Sequence, residues 1–581
     1  MPTQRFSRRA FLTTSAAAAG GSLFWTPALQ AQMPMPTAHD PLDEKLDAYV
    51  AAYIPAMNAP GMTLGLADAN RTLRTAAYGY ADMARRLPVT TDHLFQIGSI
   101  TKSFVALVIL QLREQGKLDL HKPVLDYLPD LPIVTEFGPV TVHHLLTHTS
   151  GLPDNLGVFS ADRAARLVQG FKPGEHFHYC NAGFDILGLL AAKLDGRAWR
   201  ILVQERIFSP LGMSQTKGVI GTADRQKAAV GYEPFRDDQV YPRHGELAPA
   251  PNMMMDDTAG CIQSTPGDMA RYLRMLLNRG KAPEGRIVSE ESFALMTTPC
   301  IKAEEFSATA SYGYGIAVDT LDGHKILRHT GGMVAFASSI HVDLDGGVAA
   351  FASINAMQGY RPTAVTEYAV RLARAQREGK PLPDAPAIAD PMHVDNAADY
   401  AGTFTQSGGP ANQHAEPALR FEAEGKQLSL VMGERTIPLQ HAGDDSFIST
   451  IPDAMAAYPF TFARAGGPDE KNPGPVIEVS YGPQWFAGEK YTGPKSFHVP
   501  DEYALFAGHY RSDSPWGGDA RVYVLKDKLV VEGTPLSPLG HAIFRVGEAW
   551  SPITAEFLIP FEGRPRLLRM GGMDSWRIEI D

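Results

Sequence analysis

Residues 95–116 read FQIGSITKSFVALVILQLREQG. An extended apolar approach through Phe95 and Ile97 gives way after Ser99 to apolar residues at helical spacing (Phe104, Leu107, Val108, Leu110, Leu112), and Gly116 suits a stop. The pattern predicts a long amphipathic helix with Ser99 at its start, where unpaired backbone N–H groups and the helix dipole favour negative charge. Lys102 follows one turn on, within reach of the serine oxygen. A serine hydroxyl is a weak nucleophile near neutral pH. A neutral amine beside it takes its proton, and a charged one stabilises the alkoxide. The pairing alone is weak evidence, and Ser214-Gln215-Thr216-Lys217 repeats it. That second copy follows Pro210-Leu211-Gly212 and precedes Gly218, so it reads as a loop. The case for Ser99 rests on partners elsewhere in the chain.

Outward from this stretch, residues 41–378 read as one α+β unit. An amphipathic helix over 43–53 precedes strands over 62–67 and 73–80. After the Ser99 helix, an apolar helix over 184–194 follows Tyr179-Cys180-Asn181, and Ser264-Thr265-Pro266 opens another, with proline suited to a first turn. Residues 311–356 read as three antiparallel strands, the middle one being ILRHTGGMVAFASSIHVD, and a helix over 362–378 closes the unit. The expectation is one antiparallel sheet with helices packed on it. Residues 379–391 form a Pro-rich linker. Beyond it, over 392–497 and 498–581, come short strands and Gly/Pro turns with almost no helix. DYAGTF (399–404) returns as LFAGHY (505–510), so Gly402 and Gly508 mark a period near 106 residues. Two copies of an all-β unit of about eight strands, closed into barrels, follow from that repeat. The alternative is a chance match of short β phrases.

The chain has 581 residues, enough for several domains, and 44% of them are hydrophobic, an ordinary globular composition. A net charge of −11 with no basic block after the N-terminus argues against nucleic acid as a partner. Residues 1–40 read as a leader. Ser7-Arg8-Arg9-Ala10-Phe11-Leu12 is a twin-arginine export pattern, an Ala-rich run extends to Trp25, and Leu29-Gln30-Ala31 is a cleavage site. The run is short and broken by Gly20-Gly21, which favours a cleaved signal over a membrane anchor and predicts a periplasmic or secreted protein without membrane attachment. The only cysteines, Cys180, Cys261 and Cys300, have neither the number for a disulfide framework nor metal-ligand spacing.

Three sets stand in order along the first unit: Ser99-x-x-Lys102, Tyr179-x-Asn181 and His329-Thr330-Gly331. With FQIGSITKSF, LLTHTSGLP, PGEHFHYCNAGFDILG, TAGCIQSTPGDMARY, YGYGI and HTGGM around them, residues 41–378 resemble the serine hydrolase superfamily of class C β-lactamases, D-Ala-D-Ala carboxypeptidases and D-aminopeptidases. The tail is similar in layout to D-aminopeptidases that carry two C-terminal β-barrels. The resemblance implies a β-lactamase/transpeptidase-like domain, a helical lobe and an α/β lobe with the site between them. It makes Ser99 the nucleophile of an acyl transfer, with Lys102 and Tyr179 both open as its base. A phenol serves if adjacent cations depress its pKa, and it can later protonate a leaving amine. Asn181 would hold the substrate backbone. His329 would line the site from the strand side with polar or positive character, beside Gly331 and Gly332. The oxyanion would lie between the N–H groups of Ser99 and Gly332.

Other residues read as structural. His148 lacks a role in this set. His144 and His148 stand four apart, but no Glu follows His144, so no metal is expected, and no cofactor. Cys180 has no evident base and reads as packed. By resemblance, histidine at position 329 leans towards the peptidase branch, where β-lactam-destroying members carry lysine and related esterases tryptophan. The partner expected is therefore a small peptide, with an amide or ester as the wider class. An aminopeptidase also needs an acid for the substrate's free amine, and Asp154 is a candidate. By the same resemblance in layout, the loops over 406–411 and 513–519, with Trp516 as a wedge, would reach over the site and limit substrate size. The alternatives are an esterase or promiscuous amidase, a β-lactamase, and a non-catalytic binder or sensor of peptidoglycan fragments.

Overall fold

The computed structural model describes residues 40–154, 166–236, 238–357, 361–409, 417–452, 454–467 and 474–578. The segment read as a twin-arginine leader, residues 1–40, lies outside these, apart from Asp40. The first unit is built on a nine-stranded antiparallel sheet, in the order Ile301–Lys302, Ser311–Tyr312, Ala317–Leu321, His324–Met333, Phe336–Asp343, Val348–Ile354, Gly61–Asp68, Thr72–Asp82 and Leu87–Pro88. Gly61–Asp68 pairs with Val348–Ile354, Met62 opposite Ile354, so both ends of the unit meet in mid-sheet. The helices Pro41–Ala56 and Thr363–Arg377 cover one face, burying Leu46, Val50, Leu64, Ile354 and Leu372 together. On the other face lies the larger core, with Pro266–Leu277 against the sheet and Thr101–Glu114 and Asn181–Asp195 beyond it. Thr265 caps the Pro266–Leu277 helix, its side chain accepting the Asp268 N–H.

Two local readings change. The helix after Ser99 is not amphipathic: every residue from Thr101 to Leu110 is buried, because the helix runs between the sheet and the helical lobe. The segment read as one long middle strand is a hairpin. His324–Met333 turns through Val334 and Ala335 and returns as Phe336–Asp343, with Met333 opposite Phe336. Neither turn residue is glycine or asparagine and neither has positive φ, so nothing in the local sequence announces the reversal.

The tail forms two closed eight-stranded barrels, the first from Gly402–Gly408 to Gln484–Ala487 and the second from Gly508–Arg511 to Met573–Ile578. Gly402 and Gly508 open the first strand of each, as the repeat requires. Phe447 and Phe544 lie buried in the fifth strands, Ser446–Ser449 and Ile543–Val546. Barrels of this size are filled by side chains. In the first, Phe404, Phe421, Phe460 and Phe462 crowd the axis.

The second barrel docks on the first unit. Trp550 stacks on His176 with ring centroids 4.6 Å apart, and its ring meets Phe171 edge-on. Gly170 passes so close to Pro552 that a Cβ there would lie 2.6 Å from the proline Cα. This contact brings Pro515 and Trp516 of the 513–519 loop to the cleft between the lobes.

Candidate active site

Ser99 sits in a short turn, Gly98–Ile100, that leads directly into the Thr101–Glu114 helix. Gly98 holds the turn with φ +53, and a Cβ on it would lie 2.7 Å from the Gly332 nitrogen. The turn therefore lies directly against the strand His324–Met333. That approach brings Ser99 to the same wall as His329 and Gly332 in a cavity of about 740 Å³, shared with Tyr179, Asn181, Glu305, Arg361 and Trp516.

Lys102 is wholly buried. Its ammonium has three hydrogens and three acceptors: Ser99 Oγ at 3.1 Å, Asn181 Oδ1 at 2.7 Å and the Ala259 carbonyl oxygen at 2.9 Å. Burial lowers its pKa, opposed by the charges of Asp185 and then Asp154. Once Lys102 is neutral, its two remaining hydrogens satisfy Asn181 and Ala259, and its lone pair faces Ser99 Oγ. The arrangement is that of a proton acceptor held in place.

Asn181 is fixed in turn. Its Nδ2 donates to Asp154 Oδ1 at 3.0 Å and its backbone N–H donates to the same oxygen at 2.8 Å, which assigns Oδ1 to the lysine. Asp154 is thereby committed to Asn181 and does not line the cavity. The acid on the cavity wall is Glu305, whose pKa burial and the Asp154 charge raise. No motif marked Glu305, which stands in the featureless run IKAEEFSATA.

Tyr179 lies with its ring under Lys102 Nζ, 4.8 Å from the centroid, and shares the cavity wall with Ser99. Burial is the largest influence on the phenol and raises its pKa, outweighing the opposing influence of nearby Ser99 and of the Arg361 charge. The phenol is thus not the depressed one that the sequence reading required for a tyrosine base, and Tyr179 is placed as a neutral donor. Behind it, His148 is fully buried at φ +58 with its ring 4.2 Å from that of Tyr179. Its Nδ1 accepts the Cys180 N–H at 2.9 Å, and burial keeps the ring neutral, so it packs and orients the Tyr179-Cys180-Asn181 segment.

His329 lines the cavity without adding positive charge. Nδ1 is 2.6 Å from the Thr330 carbonyl oxygen, which only an N–H satisfies, so Nε2 accepts the Tyr312 hydroxyl at 2.8 Å. Burial pushes its pKa down to about 3. Gly331 and Gly332 form no turn; they are strand residues facing Ser338 and Ala337. Cys180 caps its helix, with Sγ accepting the Gly183 N–H at 3.3 Å, and burial pushes the thiol up. His144 closes a capping box with Thr141. In the second Ser-x-x-Lys, Lys217 turns to Asp224 and Thr216 binds Asp268. Of the two loops, 513–519 reaches the cavity. The described part of 406–411 does not line it, and positions 410 and 411 lie outside the described residues.

The model of the family described as Beta-lactamase matches residues 46–375. The chain belongs to the beta-lactamase family. It is thus a member of a family of serine hydrolases, with two barrels added. It is 30% identical over 400 residues to Penicillin-binding protein 4 of Amycolatopsis lactamdurans, an alignment spanning 64% of this chain and 100% of that one. It is 29% identical over 315 residues to a D-aminopeptidase of Cereibacter sphaeroides, covering 51% of this chain and 56% of the relative. Among solved structures, the octameric penicillin-binding protein homologue from Pyrococcus abyssi superposes with a TM-score of 0.52 at 24% identity, over 76% of this chain and 99% of that one, a likeness of fold.

Proposed function

We propose that the protein is a serine amidase that works through an acyl-enzyme on small peptides, in the manner of a D-aminopeptidase or D-Ala carboxypeptidase. The observation that carries the reading is Lys102 Nζ, bound by Asn181 and Ala259 and aimed at Ser99 Oγ. Ser99 passes its proton to neutral Lys102 while Oγ bonds to the substrate carbonyl carbon, and the N–H groups of Ser99 and Gly332 receive the oxyanion. As the C–N bond breaks, the Tyr179 phenol protonates the leaving nitrogen, and the proton held by Lys102 restores the phenol. Water then attacks the acyl-serine, with the same groups handing the proton back. Glu305 supports a free amine on the substrate, the place given to Asp154 on sequence grounds. The twin-arginine leader supports a periplasmic or secreted setting.

The test uses purified protein and its Ser99→Ala variant on matched D- and L-aminoacyl p-nitroanilides, a p-nitrophenyl ester and a chromogenic cephalosporin. Ser99-dependent cleavage of the D-anilide over its L partner is the expected result. Turnover of the ester alone makes the protein an esterase, and turnover of the cephalosporin alone a β-lactamase. A fully active Ser99→Ala variant removes the nucleophile from the scheme.

A further inference from the structure

Behind Lys102 lies a second buried carboxylate that this reaction does not use. Asp185 stands one helical turn after Asn181 on the Asn181–Asp195 helix, so the two share a face. Its Oδ1 accepts the Ala259 N–H at 2.9 Å and lies 3.5 Å from Thr258 Oγ1, while its Oδ2 is buried without a hydrogen-bond partner. Ala259 is the same residue whose carbonyl oxygen accepts from Lys102 Nζ at 2.9 Å. One residue is therefore tied to the carboxylate by its N–H and to the ammonium by its C=O. An ionised carboxylate with a bare buried oxygen is unfavourable alone, and so is a buried ammonium. Each compensates the other.

We propose that Asp185 is a positioning residue that holds the Ala259 carbonyl on Lys102 and keeps Lys102 charged between turnovers, so that it sets the acid side of the activity profile. The inference rests on Lys102 being the acceptor of the Ser99 proton. The other groups facing Lys102 leave this task to Asp185. Asp154 adds a smaller negative charge, and its Oδ1 is occupied by two donors from Asn181. Tyr179 presents its ring, burial raises the Cys180 thiol, and His148 and His329 are neutral. Around Asp185 itself, burial raises the Cys261 thiol, and Asp257 acts as a neighbouring like charge whose own pKa burial, and then Asp256, pushes up to about 6. Burial and then Asp257 raise Asp185 while the Lys102 charge lowers it, and the ionised Asp185 carboxylate is the largest charge favouring protonated Lys102.

The experiment is the pH dependence of kcat/KM on the best anilide for the full mature chain, Asp185→Asn and Asp257→Asn, with far-UV circular dichroism on each. Asn keeps an oxygen for the Ala259 N–H and drops the charge, so Lys102 loses its proton more readily. The acid limb is expected to move to lower pH by about one unit. Asp257→Asn removes repulsion from Asp185, strengthens its charge, and is expected to move the limb the other way. A uniform loss of rate with an unmoved limb in folded Asp185→Asn makes the residue structural only and overturns the proposal. If that variant does not fold, Asp257→Asn decides: a limb at higher pH supports the proposal and an unmoved limb overturns it. A Lys102→Met variant as active as the parent overturns the reading of Lys102 first, and the role of Asp185 with it.

Discussion

Gly331→Ala tests whether the strand and the nucleophile turn must touch. Gly331 faces Ser338 across the hairpin, and an added Cβ would lie 1.9 Å from the Ile97 carbonyl oxygen and 2.4 Å from Ser338 Oγ. Neither neighbour is free to retreat. The Ser338 hydroxyl donates to that same Ile97 oxygen at 2.7 Å, and the Ile97 N–H is bound to the Ile262 carbonyl at 3.0 Å. A carbon needs about 3 Å or more from an oxygen, so the turn and the strand must part by about 1 Å. The two donors proposed for the oxyanion, Ser99 N–H and Gly332 N–H, lie on opposite sides of that seam. A misplacement of about 1 Å lowers rate by about 10²-fold, and loss of one such donor by about 10²–10³. The overpacking also destabilises by about 1–3 kcal/mol. We expect kcat/KM on the best anilide to fall at least about 100-fold, mainly in kcat, with a lower thermal midpoint and an unchanged circular dichroism spectrum. Gly267→Ala is the control, because an added methyl there meets nothing within 4 Å. Parent-like kcat/KM in Gly331→Ala, within about threefold, would refute the reasoning.

Lys102→Met strips the donor from Ser99 Oγ, Asn181 Oδ1 and the Ala259 carbonyl, and kcat/KM should fall about 10²–10⁴-fold in a rapid-quench acylation assay. In the parent, kcat/KM should rise with pH as Lys102 loses its proton, because in the proposed scheme the neutral amine is the acceptor, and the limb should lie below the ordinary lysine range since burial lowers that pKa. His329 should stay neutral with its proton on Nδ1 from pH 8 down to 5, read from imidazole ¹⁵N shifts, because its pKa lies near 3. Glu305→Gln should reduce kcat/KM at least about tenfold on substrates with a free amine and leave their N-acetylated counterparts unchanged, a comparison made on paired anilides.

The sequence carried the site's order but not its orientations. Ser99 and Lys102 are legible because one helical turn separates them, and Tyr179-x-Asn181 because a known phrase surrounds it. That Lys102 and Asn181, 79 positions apart, meet at 2.7 Å is a fact of packing. Asp154 shows the gap plainly: the chain places an acid in the right loop, but only the fold shows it turned to Asn181 rather than to the cavity. Glu305 and Asp185 carried no signal, because what distinguishes them is burial and the company they keep, and neither has a spacing. The hairpin at Val334-Ala335 was hidden for a related reason. The apolar run continues through it, and Gly331 and Gly332 ahead of it serve close approach to Ile97 and Gly98. The barrels were legible through repetition: one glycine opening each copy fixed the period, and closure follows once eight short strands must leave no edge.

The site divides by material. Ser99, Lys102, Asn181, Ala259 and Asp154 form a continuous hydrogen-bonded chain that lies within the first unit and is largely enclosed. The outer wall is assembled differently, with Glu305 and Phe306 from the segment before the Ser311–Tyr312 strand, Arg361 from just ahead of the Thr363–Arg377 helix, and Pro515 and Trp516 from the second barrel. Trp516 also packs against the main core, so the barrel loop is anchored and not merely laid over the opening. A fully bonded inner chain tolerates little change, since each lost partner strands a buried polar group. The outer wall stands apart from that chain: a side chain there can be replaced without breaking the path from Ser99 to Lys102. In the proposed scheme proton transfer is fixed by one part of the chain and the shape offered to substrate by another, and Pro515 and Trp516 make the second barrel part of the cavity wall.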